Sequence, residues 1–269
     1  MKTNFEDIVN VSSIGTTNNP INMNDILKNA RNENMNPAST DKNQVMFLAI
    51  DVQQDFMDNG SLGVPGAKDD VERMTRFIYN NMEKITKIAV SIDTHNPIQI
   101  FHPCWWVDEN GNNPAPYTLI TLADLDSGKW KPVIEPLLSR EYVEHLEKDG
   151  KKTLCIWTYH CLQGTSGCAL ENQFANMLYF HSVARYSIAK RLVKGQDPCS
   201  EMYGIIKPEY SRQNFINIEF LNSLEKYDKI IIAGEAKSHC VLESIKQILE
   251  YYETKKKNNT KIYILIDYI

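Results

Sequence analysis

The chain has 269 residues, of which 42% are hydrophobic and 23% charged, and its formal net charge is −5. This composition is typical of a globular protein, and the acidic balance does not favour nucleic acid or an anionic membrane as a partner. No apolar run approaches the ~20 residues that span a bilayer. With six dispersed cysteines and no hydrophobic signal core, we predict a cytoplasmic protein with reduced thiols.

Residues 1–44 are rich in Asn and contain few apolar side chains. Such a segment buries too little apolar surface to offset the entropy of ordering its backbone. We therefore predict a disordered or loosely attached extension without a catalytic role, followed by one domain over residues 45–269.

The domain begins with Val45–Ile50, an apolar run with the length of a strand that is buried on both faces. Asp51 follows directly, and it is either a helix N-cap or a catalytic group, because ligands bind at this edge of open α/β sheets. Apolar spacing predicts a helix over Asp69–Ile85, and a second strand, Ile88–Ile92, ends in Asp93. The two strands would be parallel, so Asp51 and Asp93 should share one edge of the sheet.

An insertion of about residues 96–150 follows the second strand. Its first part, Asn96–Lys131, is irregular and contains four Pro and three Trp residues. Connections of this length are often lids or binding surfaces. The insertion ends in a predicted helix over Glu135–Lys148, where Pro136 is tolerated in the first turn.

Strands and helices alternate through the rest of the chain, which predicts a three-layer α/β/α sandwich around a central, mostly parallel sheet. Asp267 follows the last strand without a further helix, so we expect C-terminal elements of the fold to be missing. The predicted elements are strand Thr153–Trp157, helix Cys168–Phe180, strand Ser182–Ser187, helix Ile218–Lys226, strand Lys229–Ala233, helix His239–Thr254 with Ser238 as its N-cap, and strand Lys261–Ile266.

Cys240 is the candidate nucleophile, because it lies in the first turn of a predicted helix, where the helix dipole and free N–H groups favour a thiolate. The alternative is a small buried core residue. Lys194, beside Gly195 in the connection after the fourth strand, is a weaker candidate. If it is buried beside Cys240 and Asp51, the carboxylate could take the thiol proton and the ammonium could stabilise negative charge.

Three side chains could converge on a divalent cation at the same sheet edge: Asp93, His95 and His160. Carboxylate and imidazole ligands suit zinc, iron or manganese. His102 is either a fourth ligand or an ordinary loop histidine. The Asp-x-His pattern is common by chance, so His160 has to complete the site.

The chain resembles the isochorismatase-like cysteine hydrolase superfamily, and within it the nicotinamidases. The resemblance covers roughly residues 45–267 and follows the family's order. It rests on Asp51-Val-Gln-Gln-Asp55-Phe56, Asp93-Thr-His95, Trp157-Thr-Tyr-His160-Cys161-Leu-Gln-Gly164-Thr165-Ser-Gly167, Lys194-Gly195 and Gly234-Glu-Ala236-Lys-Ser-His-Cys240-Val241.

The resemblance implies a catalytic triad of Asp51 as base, Lys194 as its electrostatic partner and Cys240 as nucleophile. It implies the metal ligands named above, with zinc the first expectation and manganese or iron the alternatives, and a metal that binds the pyridine nitrogen of nicotinamide. Phe56 and Trp157 would sandwich the ring. The backbone N–H groups of Ala236 and Cys240 would form the oxyanion hole, with a cis peptide bond before Ala236.

The implied activity is hydrolysis of nicotinamide to nicotinate and ammonia through a thioester, a step of NAD salvage. The partner would be a small amide, and a homo-oligomer is compatible with the sequence. The Trp-rich insertion departs from compact nicotinamidases, so the substrate could instead be another amide or a carbamoyl compound. A non-catalytic member that binds other proteins is the remaining alternative.

Overall fold

The computed structural model describes residues 1–256 and 261–269. Its strands are β1 (Val45–Ile50), β2 (Lys87–Asp93), β3 (Trp106–Val107), β4 (Leu119–Ile120), β5 (Lys131–Pro132), β6 (Leu154–Cys155), β7 (Lys190–Lys194), β8 (Lys229–Gly234) and β9 (Ile262–Ile264). Its α-helices are α1 (Met23–Asn32), α2 (Ala67–Asn80), α3 (Leu122–Asp126), α4 (Pro136–Lys148), α5 (Asn172–Ala184), α6 (Ile218–Leu224) and α7 (Leu242–Thr254).

The centre of the fold is a five-stranded sheet with the order β7-β2-β1-β8-β9, in which every neighbouring pair is parallel. All six residues of β1 are buried, as its uninterrupted apolar run predicts for the middle strand of a parallel sheet. The carboxyl ends of β1, β2, β7 and β8 therefore meet at one edge.

Helices cover both faces of this sheet, so the predicted three-layer α/β/α architecture is confirmed. Phe47 and Ala49 of β1 point to the side of α1, α2 and α5, whereas Met46, Leu48 and Ile50 point to the side of α6 and α7. This alternation along one strand produces two separate apolar cores.

The Asn-rich N-terminal segment differs from the disordered extension that its composition predicts. Ile8 and Ile26 are fully buried, and α1 packs against α5. Asn side chains also make specific contacts, since Asn19 exchanges hydrogen bonds with Asn176 of α5. A few well-placed apolar residues thus anchor a segment whose overall composition is polar.

The insertion after β2 has its own apolar core. Trp105 and Trp106 are almost fully buried there and pack with α4. Two short antiparallel pairs, β3 with β5 and β4 with β6, accompany this core. The predicted strand over Thr153–Trp157 is therefore reduced to β6. It pairs antiparallel with β4 and is not part of the central sheet.

The fourth strand of the central sheet also differs from its prediction. The run Ser182–Ser187 contains the end of α5 and a turn, and β7 lies further along the chain. Lys194 is consequently the last residue of a strand and not part of an irregular connection. None of the described helices has both the length and the apolarity that a membrane span requires.

Candidate active site

The carboxyl edge of the sheet brings three of the predicted residues together. Asp93 at the end of β2 is paired in register with Lys194 at the end of β7, and Asp51 directly follows β1. Lys194 Nζ lies 2.9 Å from Asp93 Oδ1 and 3.0 Å from Asp51 Oδ2. All three side chains are almost completely buried.

Cys240 approaches the same ammonium from the end of β8, the strand beside β1. It lies in a π-helical turn, Lys237–Val241, that connects β8 to α7, and its Sγ is 3.9 Å from Lys194 Nζ. Ser238 does not cap this helix, because the turn begins after Ala236 and has no side-chain cap. The turn, and not a standard helix N-terminus, positions the thiol.

Asp51 does not act as a helix N-cap. The Ser91 hydroxyl donates to Asp51 Oδ1 at 2.5 Å and accepts a hydrogen bond from the Asp51 N–H, which holds the residue at a φ of 47°. Among the described residues, no group donates a well-directed hydrogen bond to Asp51 Oδ2, although this oxygen forms the ion pair with Lys194. It therefore keeps lone-pair capacity to accept a proton.

The electrostatics of these residues follow from burial. Burial raises the pKa of Asp51 above its ordinary value, against the effect of Lys194. Burial also raises the pKa of Cys240 well above its usual range, and Lys194 again opposes the shift. Burial lowers the pKa of Lys194, but Asp51 and Asp93 outweigh it and raise that pKa, so the ammonium stays charged.

The second cluster consists of Asp93, His95 and His160, whose candidate ligand atoms all lie within 4.8 Å of one another. The Nδ1 atom of His95 is 3.0 Å from Gly195 O, and that of His160 is 2.8 Å from Thr158 O. Since a carbonyl only accepts hydrogen bonds, each Nδ1 carries a proton.

This protonation pattern leaves the Nε2 atoms of the two histidines to face Asp93 Oδ2, at 2.9 Å for His95 and 3.8 Å for His160. Backbone carbonyls orient metal-ligating histidines in this way in known metal sites. The three buried residues therefore fit a divalent metal ion.

His102 lies beside this cluster but is not one of its three members. Its Nδ1 is 3.0 Å from Pro97 O, and its buried Nε2 has no hydrogen-bond partner in the described part of the chain. Burial lowers the pKa of His102 to about 4, so the ring is neutral.

Gly195 explains how β7 can pass so close to these ligands. It has a φ of +75°, and a Cβ at this position would lie 2.5 Å from His95 Cε1 and 2.6 Å from Asp93 Oδ1. Only glycine allows both the backbone conformation and this approach.

The two predicted oxyanion donors differ in their hydrogen bonds. The peptide bond between Glu235 and Ala236 is cis, as the resemblance implies. The Cys240 N–H donates to Ala236 O at 3.1 Å, whereas the Ala236 N–H has no acceptor among the described residues. Ala236 therefore offers the free donor, and Cys240 would have to share its hydrogen.

A cavity of about 200 Å³ joins the nucleophile to the metal-ligand cluster. Both predicted aromatic residues line it, and the ring of Phe56 meets that of His160 edge-on at 5.8 Å. Tyr117, which the insertion supplies, packs edge-on against Trp157. The lining residues are Phe56, Leu62, Gly63, Val64, Asp93, Tyr117, Trp157, His160, Glu201, Tyr203, Ala236, His239 and Cys240.

Several residues of the site were not predicted. Ser91 supports Asp51 from the second strand, where a lone polar residue in a buried apolar run was the available signal. Gln53 binds both the N–H and the carbonyl of Asp93 and so fixes its backbone. Glu201 and Tyr203 lie in a segment whose sequence has no periodic pattern. Asp55 supports the segment that carries His160, since its Oδ2 accepts the Cys161 N–H.

No family model and no curated protein sequence matches the chain. Its structure is similar to that of the yeast nicotinamidase bound to the inhibitor nicotinaldehyde, with a TM-score of 0.52, 16% identity and coverage of 82% of this chain and 100% of that one. A second structure of the yeast enzyme has a TM-score of 0.52 and 18% identity, and the match covers 82% of this chain and 99% of that one. A nicotinamidase/pyrazinamidase from Acinetobacter baumanii has a TM-score of 0.53 and 14% identity, and the match covers 78% of this chain and 79% of that one.

These likenesses, all at low sequence identity, establish a shared α/β fold. The chain has the fold of the nicotinamidases, which is the fold that its motifs imply.

Proposed function

We propose that this protein is a metal-dependent cysteine amidase that hydrolyses nicotinamide to nicotinate and ammonia, as in NAD salvage. The observation that carries the proposal is the position of Lys194, which contacts Asp51, Asp93 and Cys240 at once. Lys194 thereby joins the base, the nucleophile and the metal-ligand cluster beside one cavity.

In the first half of the reaction, Asp51 takes the proton of Cys240, and its raised pKa makes it a stronger base than an exposed carboxylate. Lys194 stabilises the thiolate through the Nζ–Sγ contact. The thiolate attacks the amide carbon, and the Ala236 N–H donates to the oxygen that becomes negative. The C–N bond then breaks, Asp51 returns the proton to the leaving nitrogen, and ammonia departs from a thioester.

In the second half, Asp51 removes a proton from water as the water attacks the thioester. The C–S bond breaks, the acid is released, and Cys240 recovers its proton. Lys194 keeps the base and the thiolate in contact throughout.

Asp93, His95 and His160 would hold the metal, for which their nitrogen and oxygen donors suit zinc, with manganese or iron as alternatives. Such an ion supplies a Lewis-acidic position for a ring nitrogen of the substrate. Phe56 and Trp157 would contact the flat faces of that ring.

A second candidate keeps the chemistry and changes the substrate to another amide or a carbamoyl compound. It is favoured by Tyr117, because this residue comes from the insertion and reaches the cavity wall. Ammonia release from nicotinamide and from a panel of amides and carbamoyl compounds separates the two candidates. Absence of turnover across the panel, with no reaction of Cys240 with iodoacetamide at neutral pH, would support a non-catalytic protein.

A further inference from the structure

Glu201 is a carboxylate of the cavity that the proposed hydrolysis does not use. It is only 6% exposed, and it lines the cavity together with Trp157, Tyr203 and Cys240. It does not belong to the metal-ligand cluster. A buried carboxylate without a role in the chemistry requires another explanation.

The backbone around Glu201 is fixed on both sides. Its N–H donates to Tyr142 Oη at 3.1 Å, and its carbonyl accepts the Glu209 N–H at 2.9 Å. The next residue, Met202, accepts a hydrogen bond from Lys194 Nζ at 3.1 Å. Glu201 is thus held at a defined place relative to the catalytic ammonium.

The two carboxylate oxygens of Glu201 have different environments. Oε1 accepts the Met202 N–H at 2.8 Å. Oε2 accepts no hydrogen bond and joins no ion pair within residues 1–256 and 261–269. Unlike the carboxylate oxygens of Glu235, which are completely enclosed, this atom keeps some accessible surface and can be reached from the cavity. A molecule in the cavity could supply the missing donor.

The surroundings of Glu201 restrict the chemistry of that molecule. Phe56, Trp157 and Tyr203 provide aromatic walls that suit a flat body. Aromatic faces and a carboxylate both attract an N–H group, whether neutral or protonated. Burial also raises the pKa of Glu201 to about 7, and a donor from the ligand would favour its ionised form.

Resting on the function proposed above, we infer that Glu201 is a specificity-determining residue that selects flat amides with a second N–H group outside the reacting carboxamide. Glu201 Oε2 accepts the hydrogen bond from that group. Amino-substituted aromatic amides belong to this class. Nicotinamide lacks the second N–H group and would bind in the same cavity without this hydrogen bond.

The test uses nicotinamides with either an amino or a methyl group at each open ring carbon, because the two groups are similar in size and only the first donates. Calorimetry measures the dissociation constants of each pair with the metal-loaded full-length Cys240→Ala protein, which binds without turnover. The same measurement is made with a double variant that carries Glu201→Gln as well as Cys240→Ala. Glu209→Gln is the matched control, because Glu209 is also buried but lies outside the cavity.

At one ring position the amino compound should bind about tenfold more tightly than the methyl compound. Glu201→Gln should remove most of this preference, and Glu209→Gln should retain it. The inference is overturned if no position shows a preference, or if Glu201→Gln weakens both members of the pair equally. Ammonia release by the protein with Cys240 intact tests the proposed function separately, so either idea can fail alone.

Discussion

Lys194 Nζ lies 3.0 Å from Asp51 Oδ2, in a place where both side chains are almost completely removed from solvent. Burying two charges is costly, and the cost is offset only when each charge keeps its partner. Lys194 also contacts Asp93 and Cys240, so one ammonium balances the base, a metal-ligand candidate and the nucleophile. Several consequences for stability and activity can be measured.

Lys194→Met should lower the free energy of unfolding by about 3–5 kcal/mol, because it leaves Asp51 and Asp93 without their buried counter-ion. Urea unfolding measures the change. Lys190→Met on the same strand is the matched control, since its ion pair with Glu219 is exposed and should contribute at most about 1 kcal/mol. Equal effects of the two substitutions would contradict the buried ion-pair network.

The purified protein should retain a divalent metal ion after dialysis, and His160→Ala should weaken metal binding by about tenfold or more. Metal analysis gives the stoichiometry, and the increase in melting temperature on adding zinc gives a second readout. His145→Ala is the control, because His145 lies on α4 away from the cluster. Retention of metal by His160→Ala would exclude His160 as a ligand.

Ile26→Ala should reduce the free energy of unfolding by about 2–5 kcal/mol, as large-to-small substitutions in a core do. Ile26 is fully buried although it belongs to the polar N-terminal segment. Lys28→Ala, on the exposed side of the same helix, should change stability by less than about 0.5 kcal/mol. An Ile26→Ala protein as stable as the parent would favour the disordered extension that the composition predicts.

The stability of the protein should depend on Glu235 above pH 5. Burial raises the pKa of this carboxyl to about 8, and neither of its oxygens has a hydrogen-bond partner in the described part of the chain. The folded state therefore holds a proton that the unfolded state loses near its usual pKa of 4.5. The associated stability is complete below about pH 4.5 and is lost as the pH rises to about 8.

Glu235→Gln removes this titration. We subtract the free energy of unfolding of the parent from that of the variant at each pH. This difference should be larger at pH 9 than at pH 5 by about 2 kcal/mol or more. Urea unfolding at the two pH values measures the difference, and Glu83→Gln on the surface is the control. A constant difference between Glu235→Gln and the parent would show that Glu235 does not titrate in this range.

The parts of the fold that the sequence could predict were those with strong local patterns. The uninterrupted apolar runs of β1 and β8 and the spacing along α2 identify the centre of the sheet and one covering helix. β7 could not be recognised, because its sequence KRLVK alternates as an edge strand does and has only two buried residues. The prediction therefore placed this strand one segment too early.

Of the candidate site, the positions after strand ends could be predicted because parallel strands end at one edge. Asp51 and Asp93 are examples. Position also made Lys194, His160 and Cys240 candidates, and the motifs then supplied their roles. Glu201 could not be predicted, because its place in the cavity depends on two contacts. One is with Tyr142, which is distant in the sequence, and the other is with Glu209, which lies in an irregular segment. Long-range packing of this kind leaves no periodic trace in the sequence.

The most direct test of the account is ammonia release from nicotinamide by the metal-loaded protein and by its Cys240→Ala variant. Cys199→Ala is the matched control, because Cys199 lies outside the cavity. We expect turnover by the parent and by Cys199→Ala, and a loss of about a thousandfold or more in Cys240→Ala, since the nucleophile is absent. Turnover by Cys240→Ala at the rate of the parent would contradict the account.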